Sequence, residues 1–150
     1  VDPDAVFFAK QLRKHFTVGT AAGVIKAKVA SSGNAGVYVK NCANGARGLG
    51  LFGALEVLSR KAVDTYFANE ARCKDANTAL SGEDMWLQKC LDLIGVSFVE
   101  DYDLVDDGYC SLGPVECKPN RVAFHPFKLA LPWLQCWDKA NGGDGVGDDF

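Results

Sequence analysis

Three short stretches of this chain hold residue types that could do chemistry. Asp2-Pro3-Asp4 sets two carboxylates two residues apart, ahead of an apolar stretch. In an extended segment, positions i and i+2 project to the same side. Such a pair suits a hard divalent cation that can also grip a diphosphate. The same letters read equally as a helix start, with Pro between two acids. Gly82-Glu83-Asp84 opens the best-defined helix of the sequence. Acids in a first turn complement the helix dipole. A helix N-terminus can also hold a carboxylate rigidly enough for general-base work. His125 lies in Ala123-Phe124-His125-Pro126-Phe127-Lys128. The residue before a Pro is biased toward extended geometry, which predicts a turn for His125. Its imidazole is a metal-ligand type, and Lys128 has the charge to face a phosphate. A plain surface turn accounts for the same letters. His15 closes a basic helical turn and is expected to be solvated. Gly48-x-Gly50-x-x-Gly53 has the spacing of a dinucleotide fingerprint. It leads into an apolar, strand-like run rather than opening a helix, so that reading is rejected.

The elements that must position these residues follow from periodicity. Phe8, Leu12 and Phe16 recur every fourth residue and predict a helix over 8–15. The small, basic, glycine-containing stretch 18–34 reads as a loop with one weak strand around 23–29. Val37 to Lys40 is a strand, ended by the glycine-rich stretch 41–50. Leu51 to Leu58 reads as a buried strand, with Gly53 marking a close approach of backbone or ligand. Ser59 caps a helix to about Ala68, with Ala62, Val63, Tyr66 and Phe67 inward. Ser81 with Asp84 three residues on resembles a capping box. Leu87, Leu91 and Ile94 form the buried face of the helix that follows, broadened by Trp86 and Cys90, and Gly95 terminates it. Val96 to Val99 is a short strand, 101–120 is acidic and irregular, and 122–124 is a last strand. Trp133, Cys136, Trp137 and Ala140 stripe a final helix that tolerates Pro132 in its first turn. Residues 141–150 are Gly/Asp-rich and read as a disordered tail. Alternating strands and helices without an internal repeat give an α/β or α+β class.

Composition narrows the function. The chain has 150 residues, 48% of them hydrophobic and 23% charged, enough for one ordinary domain. No run approaches the ~20 apolar residues of a membrane span. The net charge is −3, and the chain has no basic stripe to neutralise a phosphate backbone, which argues against nucleic acid. The six cysteines, Cys42, Cys73, Cys90, Cys110, Cys117 and Cys136, point to disulfides and an oxidising compartment, with 15 connectivities open. Without a C-x-x-C pair, zinc is the weaker reading. Val1-Asp2-Pro3-Asp4 is neither an initiator Met nor a signal peptide, so the chain is read as a fragment or processed piece.

In order along the chain, these pieces resemble the fringe and β-1,3-galactosyltransferase group of GT-A-fold glycosyltransferases. Asp2-Pro3-Asp4 resembles that group's D-x-D motif. Gly53-Ala54-Leu55-Glu56-Val57-Leu58-Ser59 through Ala62 resembles its "G-x-x-Y-V-L-S-x-x-A" stretch. Gly82-Glu83-Asp84-Met85 through Cys90-Leu91 and Gly95-Val96 resembles its "G-E-D-V-x-x-x-x-C-L…L-G-V" block. Phe124-His125-Pro126 resembles its late histidine segment.

The resemblance covers Asp2 to about Cys136 and implies roles. Asp2, Asp4 and His125 hold a divalent metal, Mn²⁺ by preference, against the diphosphate of a nucleotide sugar such as a UDP-sugar. Asp84 is the general base toward a hydroxyl of a glycan or glycoprotein acceptor, with Glu83 the alternative. Gly53 and Ala54 border the sugar, and Glu83 and Lys128 also face the donor. The implied fold is the C-terminal portion of a GT-A fold, a mixed sheet with flanking helices over 1–140. The implied compartment is the Golgi or secretory lumen, or the exterior, with Cys73–Cys90 and Cys110–Cys117 the pairs expected first. Two departures stand out. Glu56 occupies the group's aromatic position, and the group's nucleotide-binding half precedes the D-x-D, where this chain has Val1 alone. The competing expectation is a non-catalytic secreted module that binds carbohydrate or a partner, with Trp86, Trp133 and Trp137 as stacking surfaces or as helical core.

Overall fold

The structure is a computed structural model that describes residues 1–17, 20–31, 33, 35–44, 50–74, 82–111 and 113–142. Its elements, in chain order, begin with β1 (Val6–Phe7), α1 (Ala9–Thr17), α2 (Thr20–Ser31), β2 (Val37–Lys40) and α3 (Arg60–Cys73). They continue with α4 (Glu83–Leu93), β3 (Ser97–Glu100), β4 (Val105–Asp107), β5 (Ala123–His125) and α5 (Ala130–Ala140). The molecule is mixed α/β, with strands in two small sheets. One is three-stranded in the order β1-β5-β4, antiparallel at β1–β5 and parallel at β5–β4. The other pairs β2 with β3 in parallel.

Val37, Val39 and Val99, alternating on β2 and β3, meet Leu55, Leu104 and Val122 from the adjoining segments in one core. A second cluster under α3 and α4 collects Tyr38, Ala62, Leu91 and Val96. Tyr38 is fully buried there, and its hydroxyl donates to Asp92 Oδ1 at 2.7 Å. Ser59 caps α3 as expected, accepting from Ala62 N at 3.2 Å, and also accepts from Val37 N at 2.9 Å. One hydroxyl thus joins a helix start to a strand start. Gly36, at φ +87°, lets β2 run against α3, where a Cβ would stand 2.3 Å from Ala62 N. Gly95 ends α4 at φ +83°, the left-handed position for which glycine is suited.

Several expectations are corrected. The stretch read as a loop with a weak strand at 23–29 is helix α2; the alanines of Thr20-Ala21-Ala22-Gly23-Val24-Ile25-Lys26-Ala27 outweigh one glycine in helix propensity. Leu51 to Leu58 is not a strand. It forms a single 3₁₀ turn, Gly53–Leu55, and makes strand-type pairing with β2 only at a Tyr38–Leu58 bridge. Its backbone is held instead by two buried side chains. Asn41 accepts from Phe52 N at 2.9 Å and donates to Leu55 O at 2.7 Å. Gln88 accepts from Gly50 N and Leu51 N at 2.8 and 2.9 Å.

In α3, Ala62 is buried but Val63 and Phe67 are 37% and 66% exposed, so the packed stripe is narrower than the apolar letters implied. The irregular stretch 101–120 contains β4, and His125 ends a strand rather than sitting on a turn. The Ser81 cap lies outside the described residues. Gly82 is the observed N-cap of α4. Most of the expected tail, 143–150, also lies outside them.

All six cysteines are paired: Cys42–Cys110, Cys73–Cys90 and Cys117–Cys136. The expected Cys73–Cys90 bridge is present. Cys110–Cys117 is not, because Cys110 closes the turn after β4 onto the end of β2, while Cys117 faces α5. Three disulfides fit a secreted or lumenal setting. No helix among the described residues is long and apolar enough to cross a membrane.

Candidate functional site

The ends of β1 and β5 bring the first and last of the chemistry-bearing stretches together. Asp2 and Asp4 lie just before β1, which pairs antiparallel with β5, so they arrive beside His125 at the end of that strand. Ligand atoms of Asp2, Asp4 and His125 all fall within 4.8 Å of one another. His125 Nε2 is 3.4 Å from Asp4 Oδ1 and 3.8 Å from Asp2 Oδ2. The side chains of His125 and Asp4 are 16% and 21% exposed and that of Asp2 is 49% exposed, so the cluster opens to solvent on the Asp2 side.

The other face of the imidazole is set by Asp107, the parallel cross-strand partner of His125. Asp107 Oδ2 is 2.8 Å from His125 Nδ1. An ionised carboxylate only accepts, so Nδ1 donates. Nε2 then faces two carboxylates. With Nε2 unprotonated, the ring nitrogen and the two carboxylates turn three acceptors toward one point, with Lys128 against the other oxygen of Asp4, and a shared cation suits such a set. Phe52 stands edge-on to the ring, centroids 5.5 Å apart, and holds its tilt.

Two carboxylates and an imidazole nitrogen suit Mn²⁺ and its neighbours in the first transition row, since carboxylate favours the harder ions and imidazole the softer. The donor set would accept the Mn²⁺ that the resemblance implies, as it would other divalent ions of that row. Lys128 Nζ lies 2.9 Å from Asp4 Oδ2. The contact is an ion pair without good hydrogen-bond alignment at the carboxylate oxygen. Lys128 holds the Asp4 carboxyl below its usual range, with His125 helping, and Asp4 in turn raises Lys128.

Asp84 reaches the same region from α4. Its Oδ2 accepts from Gly53 N at 3.1 Å and its Oδ1 from Met85 N at 2.7 Å. A Cβ on Gly53 would sit 3.6 Å from Asp84 Oδ2 and 3.7 Å from Asp2 Oδ2, so both carboxylates flank this one glycine. A Cβ on Gly82 would come within 2.9 Å of Asp84 Oδ1, so the missing side chain leaves room for the carboxylate. Ala54, expected beside the sugar, is fully buried and supports Gly53 from the core side. Glu83 is exposed at the start of α4.

Glu56 adds a further acid. Its Oε1 is buried without a hydrogen-bond partner among the described residues. Burial first, then the charges of Glu83, Asp84 and Asp2, push its carboxyl up to about 7. Beside Asp4 and Lys128 an open groove of about 520 Å³ runs along Phe127, Trp133 and Leu134.

Sequence reading missed Asp107, Asn41 and Gln88. The doublet Asp106-Asp107 inside β4 was a signal for the first, because aspartates are depleted from strands unless something holds them. His15 is not merely solvated: its Nε2 lies 2.6 Å from Asp101 Oδ2. No family model matches the chain, and no curated protein or solved structure matches it significantly.

Proposed function

We propose that this chain is the metal- and acceptor-binding portion of a metal-dependent, inverting glycosyltransferase of the GT-A type. The donor is a nucleotide sugar and the acceptor a hydroxyl of a glycan or glycoprotein. The observation that carries the reading is the meeting of Asp2, Asp4 and His125, residues from opposite ends of the sequence, within 4.8 Å.

In this reading Asp2, Asp4 and His125 hold the divalent ion, which offsets charge on a departing diphosphate when bound. Lys128, already against Asp4, adds a positive charge for the same diphosphate. Asp84 takes the proton of the acceptor hydroxyl. Hydrogen bonds from Gly53 N and Met85 N fix its carboxylate in one orientation, as a positioned general base requires. Gly53 leaves open the space between Asp84 and Asp2. Glu56, where the resembling group carries an aromatic residue, brings a polar group to that space and alters what is recognised there.

The test is turnover in a protein that joins this chain to the nucleotide-binding half expected before Asp2. Asp84→Asn is expected to lower turnover at saturating substrates by ~10²–10⁴-fold with donor and Mn²⁺ binding nearly unchanged. Near-normal turnover makes this carboxylate a helix-terminal anchor only. A second reading, a carbohydrate-binding or interaction module, is favoured by the groove lined by Phe127 and Trp133. Glycan binding abolished by Trp133→Ala, without any transfer activity, is the outcome that selects it.

A further inference from the structure

We propose that Asp107 is the positioning residue for His125, and that the Cys42–Cys110 disulfide holds Asp107 in place, so that divalent-metal affinity at Asp2, Asp4 and His125 depends on that bridge being oxidised. The inference rests on the metal reading above and adds the covalent bridge that supports the same site. Asp107 is almost fully buried, and both its oxygens are engaged. Oδ2 meets His125 Nδ1 at 2.8 Å, while Oδ1 accepts from Tyr109 N at 2.7 Å and Cys110 N at 3.1 Å. The main chain of Asp107 is tied into the same turn, with Ser111 N donating to Asp107 O at 2.8 Å.

Among the described residues, that turn, 108–111, pairs with no strand. Its anchor is Cys110, bonded to Cys42 with Cα atoms 4.9 Å apart, and Asn44 Nδ2 donates to Cys110 O at 3.0 Å. Cys42 follows β2, and its N–H donates to Gly50 O at 3.0 Å, beside the buried Asn41. The bridge therefore ties the turn after β4 to the frame that also carries Phe52 and Gly53. Without it, the two N–H donors that aim Asp107 are free to move. The Asp107 carboxylate then no longer selects the imidazole form whose Nε2 lone pair faces Asp2 and Asp4. Carboxylates behind metal-bound histidines act in this way, and their loss costs ~10–100-fold in metal affinity.

The experiment measures Mn²⁺ affinity of the full chain by electron paramagnetic resonance of free Mn²⁺. The ring-nitrogen ¹⁵N shifts of His125 are recorded in the metal-free protein. Asp107→Asn, nearly isosteric and with all disulfides intact, is expected to weaken Mn²⁺ by ~10–100-fold and to change the His125 tautomer. The double variant Cys42→Ala/Cys110→Ala is expected to weaken Mn²⁺ at least several-fold. The control Cys73→Ala/Cys90→Ala, in the α3–α4 pair, is expected to lower stability with affinity within about twofold.

Affinity and tautomer unchanged in Asp107→Asn overturn the positioning role. Equal affinity loss in the two cysteine double variants overturns the specific role of the Cys42–Cys110 bridge. If the wild-type chain binds no Mn²⁺, or His125→Ala and Asp4→Asn bind it as well as wild type, the metal reading itself fails. The ¹⁵N tautomer still reads whether Asp107 orients the ring. Should the Cys42→Ala/Cys110→Ala protein not fold, the wild-type chain is reduced stepwise with a phosphine, opening of the Cys42–Cys110 bridge is followed by mass spectrometry, and Mn²⁺ affinity that does not change when that bridge opens overturns its role.

Discussion

The molecule holds two histidine–aspartate pairs, and they differ in what the second ring nitrogen sees. His15 on α1 reaches Asp101 at the end of β3, Nε2 to Oδ2 2.6 Å. His125 on β5 reaches Asp107 on β4, Nδ1 to Oδ2 2.8 Å. The first pair joins a helix to a strand end, and Asp101 Oδ1 is left with a long bond to Asp103 N at 3.3 Å. In the second pair, the carboxylate is buried and its other oxygen is held by two backbone N–H groups, while Nε2 of the ring faces Asp4 and Asp2. Equivalent contacts thus make a staple in one place and a candidate site in the other. The deciding feature is a pair of carboxylates, Asp2 and Asp4, that Nε2 of His125 faces on the far side of its ring.

The sharpest way to break this contrast is to remove each ring in turn. His125→Ala is expected to weaken Mn²⁺ binding at least about tenfold, since even outer-shell losses reach that size. His15→Ala is expected to leave Mn²⁺ affinity within about twofold, and titration calorimetry checks both. Comparable losses from the two variants would erase the distinction between staple and site.

The second measurement concerns the staple. A hydrogen bond to a charged group contributes ~1.5–3 kcal/mol, and the His15–Asp101 pair is partly exposed, so His15→Ala is expected to cost about 1–2 kcal/mol in urea denaturation. A double-mutant cycle with Asp101→Asn should show that much of this is coupling between the two side chains. An additive cycle makes the contact incidental.

Glu56 tests the electrostatics of the site without touching either histidine. Its carboxyl is raised in the folded state to about 7, so the unfolded chain gives up the proton first as pH rises. Its contribution to stability is intact below the usual carboxylate range, declines through the window up to about pH 7, and stays low above it. Glu56→Gln is expected to raise stability at pH 8 by on the order of 1 kcal/mol, discounted for its partial exposure, and to change little at pH 4. Thermal melts in EDTA across that range measure it. A variant that is equally destabilised at both pH values places Glu56 among structural hydrogen-bonding groups instead.

The smallest effect belongs to Lys128. It is the first cause of the lowered Asp4 carboxyl. A depressed carboxyl adds stability above its ordinary range and loses it as pH falls through the folded value. Lys128→Ala is expected to move the Asp4 titration upward in a carbon-detected NMR pH series, with little change in the melting temperature at pH 7. An unmoved titration would leave His125 as the charge that matters at Asp4.

Much of the fold was legible because local rules carried it. Helix α4 was marked by Leu87, Leu91 and Ile94 and by Gly95, whose φ of +83° closes it. Ser59 announced α3 by its type and position. Where reading failed, the decisive bonds ran across the chain. Leu51 to Leu58 has strand letters, but Asn41 and Gln88 take its N–H groups and turn it. No period of two or 3.6 records a bond between Leu51 and Gln88. The acidic stretch 101–120 hid β4 because Asp106 and Asp107 are poor strand formers until Glu116 N, Tyr109 N and Cys110 N satisfy them.

By itself the sequence determined which groups were available for chemistry: two acids before a short strand, an acid at a helix start, and a histidine before a proline. Residue type and local backbone preference are properties of single positions and near neighbours, so they survive without a fold. It also determined that the cysteines were even in number, but not their partners, since any of 15 pairings satisfies the count. That Asp2, Asp4 and His125 meet was expected only through the family resemblance, and what brings them together is tertiary: the antiparallel register of β1 on β5 sets Asp4 beside His125. Tertiary structure alone decided that Asp107 stands behind His125 and that Cys110 turns to Cys42. Both depend on which strands lie side by side, and strand pairing is set by the burial of the whole core, not by any segment of it.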